Sequence, residues 1–210
     1  MNQEEKHAEM NEAMWDKWAP SLDSDGWKYR YLRQAQGRVI SLLNLDENTH
    51  FLDIGCGTGW AMGQAANRVD GKGLFYGVDL SPKMIEKAKV NFSGRDNFHF
   101  LQANSESIPL DDNFFDVIIC TNSFHHYLHP DKALKEMYRL LKKGGQLYIL
   151  DPLADTWLVK FWDRIMKWIE PEHVKIYSMQ EFRQLFEPAG LKYSSSDRAN
   201  WHQGIHIGEK

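Results

Sequence analysis

The chain has 210 residues, 42% of them hydrophobic and 26% charged, with a formal net charge of −4. That length suits one domain with a real buried core, and the acidic balance, without any lysine- or arginine-rich tract, argues against a nucleic-acid partner. The polar, acidic start lacks the apolar stretch of a signal peptide, and no run approaches the roughly 18 apolar residues of a membrane span. Cys56 and Cys120 do not make a disulfide framework; each sits in an apolar run and reads as a buried thiol of a reducing cytoplasm.

Residues 6–18 put Met10, Met14 and Trp18 on one face of a short helix, which Pro20 and SLDSDG break. A second helix is expected over 27–44, with Leu32, Ala35, Val39, Leu42 and Leu43 on one side. From residue 50 strand-like runs alternate with helical ones: FLDI (51–54) before 59–69, GLFYGVDL (73–80) before 82–92, FHFLQA (98–103), FDVIICT (115–121) before 131–142, and QLYILDP (146–152). Such alternation implies parallel βαβ units and a sheet covered on both faces. Ser81 before Pro82 reads as a helix cap, and Asp131 follows Pro130 at another start. Gly144-Gly145 after LLKK reads as a helix stop with lysines in its last turn.

Residues 153–169 carry Trp157, Phe161, Trp162, Ile165, Trp168 and Ile169 mostly at helical spacing, flanked by Lys160, Arg164 and Lys167. Three readings stay open: a helix packed on the domain, a lid over a hydrophobic acceptor, or a surface that touches a lipid interface. Ser178 with Glu181 forms a capping box just after His173 and Tyr177. The last twenty residues read as two strands turning around 198–200, which breaks the parallel rhythm at one edge.

The chemistry begins at FLDIGCGTGW, residues 51–60. A phosphate-binding P-loop needs a lysine and a hydroxyl after its last glycine, but Trp60-Ala61-Met62 follows here. A dinucleotide loop wants G-x-G-x-x-G, whereas Gly55, Gly57 and Gly59 are spaced G-x-G-x-G with Asp53 ahead of them. A carboxylate there repels a diphosphate and attracts a cation, which tilts the ligand toward S-adenosylmethionine, with its sulfonium and ammonium. Asp79, ending the next strand, suits a ribose diol in either kind of cofactor.

The run LDIGCGTG, followed in order by GVDLS, QANSESIPLDDNFFDVIIC and LLKKGGQLYILD, resembles the class I S-adenosylmethionine-dependent methyltransferases. The likeness is dense over residues 38–151 and looser over YSMQEFRQLFEPAGL. By E-x-x-P, D-N-x-F-D and KALKEMYRLLKKGG the nearest subgroup is the ubiquinone/menaquinone-biosynthesis type. The resemblance implies a Rossmann-like α/β fold: a seven-stranded, mostly parallel sheet with helices on both faces, a C-terminal antiparallel hairpin and a helical N-terminal cap. The implied organisation is a single domain with a cap segment (1–44), a cofactor-binding core (45–152), a substrate-lid helix (153–176) and a C-terminal helix and hairpin (177–210). It implies S-adenosylmethionine as cofactor, leaving as S-adenosylhomocysteine; a zinc site at the histidines of FHHYLH is disfavoured, because the spacing lacks the cysteines or paired carboxylates such a site adds. Asp53, Gly55, Gly57, Thr58 and Gly59 would line its methionine end, Asp79 its ribose and Leu80 its adenine face. Asn104 and Ser105 would read the adenine edge, and Thr121 would stand by the transferring methyl.

Ligands of an open α/β sheet lie beyond the carboxyl ends of its strands. The methyl acceptor, a small and hydrophobic or aromatic molecule, is therefore expected near Ser123, His125, His126 and Asp151. His125 and His126 are the candidates for a general base or an acceptor-orienting group. The quinone subgroup carries an arginine and an asparagine at those two positions, which sets this chain apart from it. Trp15, Trp18, Trp27, Tyr29 and Tyr31 are placed to close the far side of the pocket, and His173 is a further candidate for substrate contact. Competing readings are a non-catalytic binding or scaffold subunit and a nicotinamide-dependent oxidoreductase. The sequence leaves the oligomeric state open.

Overall fold

The computed structural model describes residues 3–19, 27–155, 157–169 and 173–210. Two helices, α1 (Gln3–Trp18) and α2 (Trp27–Leu42), precede β1 (His50–Ile54), α3 (Trp60–Asn67), β2 (Leu74–Asp79), α4 (Pro82–Asn91) and β3 (Phe98–Gln102). Then come β4 (Phe115–Thr121), α5 (Pro130–Leu140), β5 (Leu141–Pro152), α6 (Trp157–Ile169), α7 (Met179–Phe186), β6 (Lys192–Arg198) and β7 (Gln203–Glu209). The seven strands form one sheet in the order β3-β2-β1-β4-β5-β7-β6. The first five are mutually parallel, and β7 is antiparallel to both β5 and β6. This is the Rossmann-like architecture the sequence implies, with its C-terminal hairpin.

The strands read as unbroken apolar runs because both faces of the sheet are buried. Leu52 and Ile54 of β1 pack with Ile118 and Cys120 of β4 under α5 and α7. Phe51, Val117 and Ile119 point the other way, into a cluster with α2, α3 and α4. Strand order reverses between β1 and β4, so their carboxyl ends diverge there and leave the crevice of an open α/β sheet.

Local signals decide most helix starts. Ser81 accepts from Met84 N with Pro82 in the first turn, and Ser178 with Glu181 makes the full capping box. The end of α5 differs from expectation. The helix stops at Leu140, so Lys142, Lys143 and the glycine pair belong to β5 rather than to a helix terminus. Leu141 already pairs with Phe115 across a bulge, and Lys142 Nζ reaches the Asp116 carboxylate at 2.8 and 2.9 Å. Tertiary pairing outweighs a composition that suits a helix end. The hairpin turn lies at 199–202, slightly beyond the expected position. Pro20 and SLDSDG, and the side chains of Trp27, Tyr29, Trp157, Trp168 and Ile169, lie outside the described residues.

Candidate cofactor and acceptor site

At the switch point the loop after β1 is clamped to β2: Gly55 and Cys56 donate their N–H groups to Val78 O at 2.8 and 3.0 Å. Gly57 N then donates to Asp79 Oδ2 at 2.8 Å, and Ser81 N donates to Asp79 Oδ1 at 3.0 Å. All three loop glycines have positive φ, 76°, 53° and 87° for Gly55, Gly57 and Gly59, a conformation that glycine adopts without strain. They serve different ends. A Cβ on Gly59 would strike the Phe92 ring at 2.7 Å, whereas one on Gly57 would meet no atom within 4 Å. Gly57 therefore borders open space.

That space is a cavity of about 250 Å³ between the strand ends and the two N-terminal helices. Of the sequence-predicted residues, Gly55, Gly57, Thr58, Asp79, Leu80, Asn104, Ser105, Thr121 and His126 line it. Asp53, Gly59 and His125 stand behind its wall. Asn104 Oδ1 accepts from Glu106 N at 3.0 Å, which shapes its loop and leaves one lone pair for a ligand.

The site is rich in buried carboxyl groups. Burial, with the neighbouring Asp79 charge, pushes Asp53 up to about 8, and its Oδ1 has no hydrogen-bond partner among the described residues. Burial also raises Asp79, against the backbone N–H groups that favour its anion. Two desolvated carboxyls flanking a glycine cradle suit a cationic nucleoside and penalise a diphosphate. On this observation the residues fit S-adenosylmethionine.

The histidines separate. His126 is buried and lines the cavity; His7 Nε2 bonds its backbone oxygen at 2.9 Å, and the Trp15 ring meets it edge-on at 5.4 Å. His125 turns inward, with Nδ1 2.9 Å from Asp151 Oδ1. Burial lowers His125 to about 3 and raises Asp151 well above the carboxylate range, against the backbone N–H groups of Phe124 and His125 that favour its anion. His173 is also buried and bonds Asp163 of α6 at 2.8 Å, outside the cavity wall.

Sequence reasoning missed several lining residues. From α1 come His7 and Asn11, in one stripe with Trp15, rather than the expected Met10–Met14–Trp18 face. From α2 come Arg33 and Gln36, the latter donating to Thr121 Oγ1 at 2.8 Å. Tyr127 also faces the cavity, and its hydroxyl accepts from Ser123 Oγ at 3.0 Å. The signal available for α1 was polar: histidine, asparagine and tryptophan at i, i+4 and i+8. None of the described residues of α6 lines the cavity.

A doubly covered parallel sheet with its ligand crevice at the β1–β4 switch defines a nucleotide-cofactor protein of the Rossmann-like class. Residues 52–149 match the methyltransferase domain family. The chain is 31% identical over 168 residues to the uncharacterized methyltransferase YcgJ of Bacillus subtilis, an alignment covering 78% of this chain and 65% of that protein. The solved structure of YcgJ superposes with a TM-score of 0.73 at 23% identity, over 85% of this chain and 98% of that one. Over 103 residues the chain is 37% identical to the ubiquinone/menaquinone biosynthesis C-methyltransferase UbiE of Vibrio cholerae, covering 48% of this chain and 40% of that protein. A methyltransferase of Haloferax volcanii, solved with the methyltransferase activator Trm112, shares the fold at a TM-score of 0.80 and 20% identity, over 93% and 96% of the two chains. The chain thus spans between two fifths and two thirds of the two curated relatives' lengths. Together these likenesses support a class I S-adenosylmethionine-dependent methyltransferase near the ubiquinone/menaquinone subgroup.

Proposed function

We propose that this chain binds S-adenosylmethionine in the cavity and transfers its methyl group to a small, hydrophobic or aromatic acceptor. One observation carries the reading: a single cavity is lined both by the glycine cradle with the Asp79 carboxyl and by an aromatic and imidazole wall. In this reading Gly57, Thr58 and the two aspartates hold the amino-acid and ribose parts, while Leu80, Asn104 and Ser105 take the adenine. When bound, the cofactor supplies an already activated methyl, so alignment of the acceptor does much of the catalytic work.

The acceptor end is built by this chain's own residues. Trp15 and His126 wall it, His7 and Asn11 border it, and Thr121, also in the lining, accepts a hydrogen bond from Gln36. His126 orients the acceptor and takes up the proton that a hydroxyl or amine would shed on methylation. His125 is a positioning residue, holding the turn through Asp151. α1 and α2 line the cavity and none of the described residues of α6 does, which supports a lid role for α1 with α2.

The test is calorimetric titration with S-adenosylhomocysteine, followed by transfer assays with radiolabelled S-adenosylmethionine on panels of phenols, hydroquinones and amines. Binding and label transfer to one of these classes support the reading. Absence of binding at saturating ligand would leave the scaffold reading in its place.

A further inference from the structure

Among the described side chains of α6, Val159 and Asp163 face the rest of the protein. Val159 is buried, and Asp163 one turn on accepts from Ile176 N at 2.7 Å and bonds His173 Nε2 at 2.8 Å. Phe161 lies about 200° around the helix from Val159, so it projects away from that contact. Phe161 is 56% exposed and its neighbour Trp162 is 51% exposed. Ile165 continues the Phe161 stripe one turn later, half-buried.

The charges on this helix are sorted. Asp163 is its one acid and is engaged inward, so the exposed ionic groups beside the aromatic stripe, Lys160 and Arg164, are both basic. The chain as a whole is acidic, at −4. A second exposed indole stands near the start of the helix. Trp201, at the β6–β7 turn, is 69% exposed. Its turn is tied to the residues preceding α6, because Leu153 N donates to His202 O at 2.8 Å and Arg198 pairs with Asp155 at 2.7 Å. Exposed phenylalanine and tryptophan with Lys160 and Arg164 beside them match the polarity of an anionic bilayer surface, with aromatic rings at the headgroup level and cations against the lipid phosphates.

We propose that the outward face of α6, with Trp201 at its edge, docks this protein on anionic lipid surfaces. The helix lies in the plane of the interface and does not cross it; among the described residues no helix is long and apolar enough to span. The surface is separate from the cofactor cavity and stands whatever the methyl acceptor proves to be.

The experiment is co-sedimentation of the full chain with vesicles of phosphatidylcholine alone and of phosphatidylcholine with about one third phosphatidylglycerol, at low and high salt. The expected result is binding to the anionic vesicles only, weakened by salt. The double variant Phe161→Ser/Trp162→Ser should lower the partition at least about tenfold, and Lys160→Gln/Arg164→Gln about fivefold for each charge removed. Far-ultraviolet circular dichroism and melting of both variants check that the fold persists; should either unfold, Trp162→Ser and Lys160→Gln singly replace them. No binding, equal binding to both vesicle types, or unchanged binding in the folded variants overturns the proposal. So does a concentration-dependent dimer, seen by light scattering, that is lost in Phe161→Ser/Trp162→Ser without any vesicle binding by the parent.

Discussion

Replacing Asp53 by asparagine should make the protein more stable and less able to bind its cofactor. Asp53 is 1% exposed, its Oδ1 has no partner among the described residues, and burial with the Asp79 charge lifts its pKa from 3.8 to about 8. A folded-state pKa above the unfolded one means that the folded protein binds the proton more tightly. The associated stability is complete below about pH 4 and is lost as pH rises toward 8. Each pH unit in that window costs the folded state about 1.4 kcal/mol, so roughly 4 kcal/mol is gone by pH 7. Asparagine carries no charge and escapes this loss, although its buried amide adds a pH-independent penalty of about 1–3 kcal/mol. The clean readout is therefore the difference in urea-unfolding free energy between variant and parent, measured from pH 5 to 8. That difference should swing in favour of the variant by about 4 kcal/mol across the range. Two parallel curves would refute the reasoning, because they would mean that Asp53 ionises as readily in the folded chain as in the unfolded one. In the same variant the affinity for S-adenosylhomocysteine should fall at least about tenfold, since in the proposed function Asp53 supplies, from behind the cavity wall, a negative charge that a bound ammonium would favour.

Three further changes probe the cavity. Gly57→Val places a branched side chain at φ 53° in space that no protein atom fills within 4 Å; S-adenosylhomocysteine binding should disappear by calorimetry, at a stability cost of about 1–2 kcal/mol. Asp79→Ala removes the acceptor shared by Gly57 N and Ser81 N, and should abolish cofactor binding while the circular dichroism spectrum is kept; retained affinity would displace Asp79 from the site. The adjacent histidines should part company. His126→Ala is expected to slow turnover with cofactor affinity held within about twofold, whereas His125→Ala leaves the buried Asp151 carboxyl without its ring partner and should cost about 1–3 kcal/mol in unfolding measurements.

Much of the fold was legible because parallel strands buried on both faces announce themselves as short apolar runs between helical ones. The start of α4 was legible for a different reason: Ser81 and Pro82 act within one turn, where no distant contact competes. The end of α5 was not. Leu141 and Lys142 answer to Phe115 and Asp116 on the neighbouring strand, partners more than twenty residues away that no local pattern reveals.

The site divides along the same line. A motif fixes which residues approach a ligand, but their depth depends on packing. Asp53 and Gly59 belong to the glycine loop by sequence yet stand behind the wall, one as a buried carboxyl and the other as room for Phe92. On α1, hydrophobic periodicity selects Met10, Met14 and Trp18, because periodicity looks for a face packed against apolar core. A helix that walls a polar cavity presents a mixed stripe instead, and His7, Asn11 and Trp15 supply it. His125 and His126 show the limit most sharply. In the short 3-10 turn Phe124–His126, neighbouring side chains diverge, so one imidazole reaches a buried acid while the next faces the cavity. Residue type makes the two equivalent. What separates them is the environment each ring meets, and under the proposed function that puts His126 rather than His125 on the side of the acceptor.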